Sequence, residues 1–290
     1  MKLQMPRLLA MESPTPNAHF MVRLLEPPGS CRKTLWERLW AGTYDKPFII
    51  DSRLRRFLHF DLDAIQSAMH LQHPDRLSLT YTRKMMAFLL FNRAPAHILL
   101  LGLGGGSLAK FCYRALPRAT VTAVEVNPDV IALRHAFCIP PDNERFRIIC
   151  ADAAHYVARL EHSKDVILAD ACDRLGIAPE LDTVAFYQHA RRCLSPGGVF
   201  VTNVCGDTTS RATHLDKIRE AFGDAFVTLQ ARRDGNHIVF AFKQPHPPLD
   251  WNRLQATAVE LKRGLGLDFP KYLQRITLEW QLRPCQHAFA

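Results

Sequence analysis

The chain has 290 residues, enough for about two domains or for one domain with an appendage. Hydrophobic residues make up 48% and charged residues 22%, ordinary globular values that exclude a disordered or fibrous protein. The formal net charge of +9 permits attraction to nucleic acid, to an anionic membrane or to acidic substrates, and identifies none of these.

Membrane insertion, secretion and metal binding are not expected. No uninterrupted apolar run reaches the ~18 residues of a spanning helix, and the N-terminus lacks the apolar core of a secretory signal. None of the eight cysteines forms a C-x-x-C pair, and several lie inside apolar runs, so we expect buried, reduced thiols in a cytoplasmic protein. The 13 histidines show no ligand spacing with a cysteine or carboxylate.

Residues 1–40 are predicted to be an N-terminal extension, because prolines and a glycine interrupt them and prevent long regular elements. Near its end, Leu35, Trp36, Leu39 and Trp40 form a short apolar face. We expect this face to pack on the body of the protein, or alternatively on a partner.

Residues 41–92 are predicted to be a small β-rich domain with an entry helix. Its short apolar runs, the last of them Leu77–Tyr81, indicate three or four antiparallel strands. Arg83–Asn92 then has the broad apolar face of a helix.

Residues 93–290 are predicted to be the main domain. Seven apolar runs indicate strands: Ile98–Leu101, Thr120–Val124, Phe146–Cys150, Val166–Ala169, Val199–Asn203, Phe226–Gln230 and Ile238–Phe242. Helical patterns occur between the early runs and once in the tail: Ser107–Ala115, Asp129–Phe137, Ala153–Leu160 and Trp251–Gly264. Alternation of strand and helix favours an α/β fold with a parallel sheet.

A glycine-rich loop, Gly102-Leu103-Gly104-Gly105-Gly106-Ser107, follows the first of these strands. Glycines let the backbone turn tightly and approach a ligand closely, although any sharp turn between strand and helix can use them. Glu125 lies near the end of the next strand, 23 residues after Gly102, where a carboxylate can accept hydrogen bonds from both hydroxyls of a ribose. A surface glutamate is the alternative. The two features together favour a nucleoside site.

Further acidic residues follow the next two strands. Asp152 is predicted to accept a hydrogen bond from the exocyclic amine of adenine, or else to cap the following helix. Asp170 is predicted to orient or deprotonate an incoming amine, or to balance a positive charge on the donor. The alternative is that Asp173 caps a turn and Asp170 only steadies the loop. All these positions lie at the strand ends where α/β sheets bind ligands.

A resemblance to a known family rests on five segments: ILLLGLGGGSLAKF, VTAVEVNPDVI, FRIICADAAHYV, DVILADACD and LSPGGVFVTN. Over residues 45–245 the chain resembles the spermidine synthase (polyamine aminopropyltransferase) family. It also resembles the class I S-adenosylmethionine-dependent methyltransferases, which share the Rossmann-like core. The resemblance implies a seven-stranded, mostly parallel sheet with a small N-terminal β-rich domain, and a homodimer.

The resemblance also implies roles for single residues on the donor side. Gly102 and Gly104 would line the sugar and sulfur end of the donor, Glu125 would hold the ribose, and Asp152 with Ala153 would meet the adenine.

On the acceptor side, Asp170 and Asp173 match the two aspartates of the family's D-S-S-D-P motif, of which the first is the catalytic one. Gln66 and Tyr81 resemble a Gln and a Tyr that face the donor and acceptor pocket. Tyr81 is counted with the catalytic residues and Gln66 with those that bind the donor.

Several positions depart from the family pattern. Gly105 belongs to the donor-binding loop, but the family has an aspartate there, which would bind the ammonium of decarboxylated S-adenosylmethionine. Leu77 and Ser78 replace an Asp-Glu pair, Arg83 stands where a glutamate is common, and Arg174 replaces a proline. An acceptor pocket that has lost carboxylates and gained arginines predicts that putrescine is a poor substrate.

The function that the resemblance implies is aminopropyl transfer from decarboxylated S-adenosylmethionine to an amine. Methyl or aminocarboxypropyl transfer from intact S-adenosylmethionine is the alternative, because the loss of an aspartate suits a donor that carries a carboxylate. A remoter alternative is a non-enzymatic protein that binds a nucleoside or nucleic acid, suggested by pairs such as Arg232-Arg233. Such pairs are typical of solvated faces, and no recognised nucleic-acid motif accompanies them.

Overall fold

The computed structural model describes residues 8–13, 20–173, 176–204, 208–231, 237–244 and 249–281. Strands β1 to β5 form an antiparallel sheet near the N-terminus: β1 Leu9–Glu12, β2 Met21–Leu24, β3 Phe48–Asp51, β4 Arg55–His59 and β5 Ile65–His70. Helix α1 (Arg32–Trp40) packs on this sheet through Leu35 and Leu39. Helix α2 (Thr80–Met85) continues as a 3₁₀ turn, Met86–Leu90, whose residues are all buried.

The main sheet has seven strands: β6 His97–Leu101, β7 Thr120–Glu125, β8 Phe146–Cys150, β9 Lys164–Ala169, β12 Leu194–Val204, β13 Phe226–Gln230 and β14 His237–Phe242. Their order is β13-β14-β12-β9-β6-β7-β8, and β14 runs antiparallel to both of its neighbours while the remaining pairs are parallel. Two short strands, β10 Cys172–Asp173 and β11 Gly176–Ile177, form a hairpin after β9. The predicted seven-stranded, mostly parallel sheet with a separate N-terminal sheet is confirmed.

Helices cover both faces of the main sheet: α3 Ser107–Ala115, α4 Pro128–Ala132, α5 Ala153–Ala158, α6 Val184–Cys193, α7 Thr208–Phe222, α8 Trp251–Leu265 and α9 Phe269–Gln281. Two hydrophobic clusters lie on opposite sides of it, one including α2, α3, α8 and α9 and the other including α6 and α7. Helix α9 was not predicted. Within the described residues, no helix is both long and apolar enough to cross a membrane.

One prediction about the N-terminal part is wrong. The three or four antiparallel strands predicted for residues 41–92 are present as β3, β4 and β5, and β1 and β2 from the preceding residues extend the same sheet because β2 pairs with β3. Leu77–Tyr81 is not a strand, since α2 begins at Thr80 and the side chain of Arg83 bonds to the carbonyl oxygens of Leu77 and Ser78. The apolar character of this run reflects burial of Leu77 in the core. The domain boundaries at residues 41 and 93 stay predictions, although the first sheet extends across residue 41.

Exposure of the cysteines also differs from the prediction. Cys112 and Cys193 are buried, whereas Cys31, Cys138 and Cys150 are exposed free thiols. Cys150 is exposed because β8 is an edge strand of the sheet.

Candidate active site

A cavity of about 660 Å³ lies at the carboxyl ends of the parallel strands. In the sheet, β6 has β7 on one side and β9 on the other, so the strand order reverses at β6. Sheets of this kind bind ligands at such a switch point, and the cavity lies there. Residues from the loop before β5 and from β5 itself form part of its wall. The N-terminal sheet therefore contributes to the same cavity as the main sheet.

Gly102 and Gly104 of the glycine loop line this cavity. Gly102 has φ +93°, and a Cβ atom there would lie 2.5 Å from the backbone oxygen of Asp170. A side chain at this position would therefore push apart the ends of β6 and β9. Glycine is required at residue 102 for two independent reasons, conformation and space.

Glu125 faces the cavity and is held by two backbone groups. The N–H of Leu103 donates to Oε2 at 3.0 Å, and the N–H of Asn127 donates to Oε1 at 2.9 Å. These bonds connect the carboxylate to the glycine loop and fix its orientation. Each carboxylate oxygen has a second lone pair for a ligand hydroxyl.

Asp152 lines the cavity beside Ala153 and also caps α5. Its Oδ1 accepts the backbone N–H of His155 at 2.7 Å. The two alternatives considered for Asp152 are therefore compatible, because the cap uses one carboxylate oxygen and leaves the other to the cavity.

Asp170 lies directly after β9 and receives two side-chain hydrogen bonds. The hydroxyl of Tyr81 donates to Oδ2 at 3.0 Å, and the amide of Asn203 donates to Oδ1 at 3.1 Å. Burial raises the pKa of the Asp170 carboxyl above its ordinary 3.8, and the hydrogen bonds from Asn203 and Tyr81 act in the opposite direction. Both partners are neutral, so Asp170 keeps more basicity than a carboxylate paired with a cation.

Gly105 is buried, and it is not among the residues that line the cavity. A Cβ atom on it would lie 2.6 Å from Oγ of Ser67 and 2.9 Å from the ring of Phe137. Ser67 and Ser107 do line the cavity, with their hydroxyl oxygens 3.2 Å apart. The space that a side chain at residue 105 would need is therefore filled by other groups.

The charge of the wall differs from what the departures from the family pattern predicted. Among the described residues the wall carries four carboxylates, Glu125, Asp152, Asp170 and Glu180, and no Lys, Arg or His. The expected arginine at residue 83 instead bonds to backbone oxygens outside the cavity. Arg174 lies outside the described residues.

Three further residues with predicted roles are Gln66, Tyr81 and Asp173. Gln66 lines the cavity from β5, and Tyr81 does so from α2. Asp173 belongs to β10, but its side chain lies outside the described part of the chain. In the described residues no group of three or more His, Cys, Asp or Glu side chains could hold a metal ion.

The polar residues of the cavity wall that sequence reasoning missed include Ser67, Ser107, Glu180 and Asn203. Asn203 gave a signal, because it is a polar residue near the carboxyl end of β12, a strand that ends at the ligand-binding edge of the sheet. Glu180 and Ser67 gave none, since nothing local distinguishes them from surface or strand residues.

Comparison with known proteins adds independent evidence. A profile of the spermine/spermidine synthase domain matches residues 78–230. The polyamine aminopropyltransferase of Chromobacterium violaceum is 40% identical over 222 residues, covering 76% of this chain and 85% of that protein. A probable spermidine synthase from Corynebacterium glutamicum superimposes with a TM-score of 0.63 at 21% identity, over 74% of this chain and 84% of that one. Human methyltransferase-like protein 13 in complex with SAH gives a TM-score of 0.58 at 23% identity, over 73% and 97% of the two chains.

Proposed function

Because this chain belongs to the spermine/spermidine synthase family, we propose that it is a transferase of polyamine biosynthesis that moves an aminopropyl group from decarboxylated S-adenosylmethionine to an amine. The observation that carries this function is Asp170, held between two neutral donors at the edge of a cavity with an acidic wall. The wall carries four carboxylates and, among the described residues, no Lys, Arg or His, so its charge suits a cationic donor and a cationic acceptor.

The nucleoside half of the donor is assigned to the side of the cavity formed by β6, β7 and β8. Glu125 binds the ribose hydroxyls, and Asp152 with Ala153 binds the adenine. Gly102 and Gly104 let the sugar and sulfur end approach the backbone. Gln66 closes the site from the N-terminal sheet.

The transfer is a displacement at carbon. The acceptor nitrogen attacks the methylene next to the sulfonium sulfur, a C–N bond forms as the C–S bond breaks, and methylthioadenosine leaves with the bonding electrons. Asp170 positions the acceptor amine and takes the proton that the nitrogen loses, and its raised pKa makes it a better base than an exposed aspartate. Much of the rate enhancement comes from holding the two reactants in line. Asp173 and Tyr81 assist Asp170, Tyr81 through its hydrogen bond.

The same proposal extends to the acceptor and to the oligomeric state. Turnover with putrescine is expected to be low, because Leu77 and Ser78 stand where the family has an Asp-Glu pair, and Gly105 stands where it has the aspartate that would bind the ammonium of the donor. The protein is proposed to be a cytoplasmic homodimer, with the stacked rings of Trp36 and Trp40 on α1 as a candidate contact, since Trp40 is 61% exposed. Sedimentation of wild type and of the Trp40→Ala variant tests this contact, and an unchanged dimer in the variant would contradict it.

Calorimetric binding of four nucleosides tests the donor. We expect decarboxylated S-adenosylmethionine and methylthioadenosine to bind more tightly than S-adenosylmethionine and S-adenosylhomocysteine. The latter two carry a carboxylate, and the described wall residues include no Lys, Arg or His to pair with it. The opposite preference would favour methyl or aminocarboxypropyl transfer. If none of the four binds, the assignment of the glycine loop to a nucleoside fails.

A further inference from the structure

Helix α2 lies across the carboxyl edge of the main sheet and bonds to that edge at two points. At the first, the hydroxyl of Tyr81 donates to Oδ2 of Asp170, directly after β9, at 3.0 Å. At the second, Nζ of Lys84 donates to the backbone oxygen of Gln230, the last residue of β13, at 3.0 Å. Strands β14 and β12 lie between β13 and β9, so the two points are about 14 Å apart along the edge.

Lys84 is a buried cation, with only 6% of its surface exposed. A buried ammonium is costly unless it is hydrogen-bonded, so the side chain is held to its bond with Gln230. Lys84 follows Tyr81 by three residues, and both side chains therefore leave the same side of α2. A rotation or a slide of the helix that changed one of the two bonds would change the other.

The oxygen that Lys84 binds is itself fixed by α9. Strand β13 is at the end of the sheet, and the backbone N–H of Gln230 donates to Oε1 of Glu279 at 3.0 Å. The hydroxyl of Thr228 donates to the same carboxylate, and Nη1 of Arg275 reaches the oxygen of Gln230 at 3.5 Å. Glu279 and Arg275 both belong to α9, so this end of α2 is anchored by a helix outside the cavity wall.

The apolar packing of α2 does not by itself fix its orientation. Its last residue, Met85, and the following Met86 are fully buried, and methionine side chains adapt to small shifts of a helix. A hydrogen bond is directional and weakens when its length or angle changes. We infer that Lys84 is a positioning residue for the proposed transfer, which holds α2 so that the hydroxyl of Tyr81 reaches Asp170. This inference rests on the proposed function, in which Asp170 is the base.

The test measures the pKa of Asp170 directly, by a carboxyl ¹³C NMR titration in which Asp170→Asn identifies the signal. The hydrogen bond from Tyr81 lowers the pKa of Asp170, so a weaker bond raises it. Lys84→Met keeps an unbranched side chain and removes the ammonium. We expect it to raise the pKa of Asp170 by no more than Tyr81→Phe does, and to lower kcat about two- to tenfold, the effect of losing one hydrogen bond.

A double variant separates positioning from a direct effect of charge, since Lys84→Met also removes a cation. If Lys84 acts through Tyr81, the pKa of Asp170 in Lys84→Met/Tyr81→Phe equals that in Tyr81→Phe alone. A direct effect of the lost charge would persist in the double variant.

Lys243→Met is the matched control. Lys243 is also buried, at 9% exposure, and its Nζ donates to the backbone oxygen of Arg192 at 3.1 Å, but it follows β14 at the opposite edge of the sheet. This variant is expected to lower the free energy of unfolding and to leave the pKa of Asp170 unchanged. If Lys84→Met does not fold, Glu279→Ala loosens Gln230 from the side of α9 and is expected to raise the pKa of Asp170 by a smaller amount.

Two results would overturn the inference while leaving the proposed function intact. The first is an unchanged pKa of Asp170 in folded Lys84→Met, or in Glu279→Ala if that variant has to be used. The second is a shift of equal size with and without the Tyr81 hydroxyl. A wild-type protein that transfers nothing to any amine would instead contradict the proposed function, and the titration, which needs no substrate, would still decide whether Lys84 sets the bond between Tyr81 and Asp170.

Discussion

Asp170 illustrates how the surroundings of one residue set its chemistry. Its two hydrogen-bond partners, Tyr81 and Asn203, are neutral, so the carboxylate is oriented without being neutralised. Asp170→Asn keeps the shape of the side chain and removes the proton acceptor. We expect kcat to fall about 10²- to 10⁴-fold, the usual contribution of a general base, while the affinity for methylthioadenosine stays as in wild type. Full turnover in this variant would remove Asp170 from the mechanism.

The amide of Asn203 should be visible in the pH dependence. Its hydrogen bond lowers the pKa of Asp170, against the larger effect of burial, which raises it. The group acts as a base only when ionised, so activity rises with pH as Asp170 loses its proton. Asn203→Ala removes a donor to the ionised form, and the acid limb of the kcat/KM profile is expected to move to higher pH.

Tyr81→Phe removes the second donor and serves as the matched variant, with the same direction of shift. An acid limb that stays in place in both variants would show that Asp170 is not the group that titrates. Donor binding, measured by calorimetry, separates this effect from a collapsed cavity.

At the level of secondary structure, the glycine loop is constrained by β5 as well as by its own turn. Gly105 sits where any Cβ atom meets Ser67 and Phe137, so Gly105→Ala overfills the contact between the two sheets. We expect a loss of about 1–3 kcal/mol in the free energy of unfolding, the usual cost of overpacking. Denaturant unfolding measures it.

Gly264 provides the control for this substitution. It lies in α8 with nothing within 4 Å of an added Cβ, and Gly264→Ala is expected to stabilise the protein by ~0.5–1 kcal/mol through helix propensity. Equal stability of Gly105→Ala and wild type would mean that Ser67 moves aside freely. Residue 105 could then carry a larger side chain after all.

At the level of the whole molecule, Arg56 connects the N-terminal sheet with the main domain. It pairs with Asp51 on β3 and also donates to the backbone oxygen of Ala136 in the main domain. Arg56→Met removes both contacts, and we expect a loss of about 1.5–3 kcal/mol in unfolding free energy together with weaker nucleoside binding, since Gln66 is positioned by the same sheet.

Arg23 is the matched control, because its side chain pairs with Asp51 at 2.7 Å and makes no other side-chain hydrogen bond within the described residues. Arg23→Met should cost at most ~1 kcal/mol and leave nucleoside affinity unchanged. Equal effects of the two variants on binding, measured by calorimetry, would show that the contact with Ala136 does not hold the cavity together.

The net charge of the whole chain and the charge of the described cavity wall have opposite signs. The chain carries a formal net charge of +9, yet the described cavity wall has carboxylates and no basic side chain. The positive net charge alone would suggest an anionic ligand, and for this site that suggestion is wrong. Only the placement of each charged group shows that the cavity is suited to cations.

The sequence by itself determined the main sheet, the glycine loop and the order of Glu125, Asp152 and Asp170 along one edge. These features are local: each strand is a continuous apolar run, and parallel strands place their carboxyl ends together. Only the tertiary structure decided the pairing of β2 with β3, the contact of Ser67 with Gly105, the hydrogen bond of Asn203 to Asp170 across 33 residues, and the place of Glu180 in the cavity wall. The physical reason is that these contacts join segments far apart in the chain, and no periodicity within either segment encodes its partner.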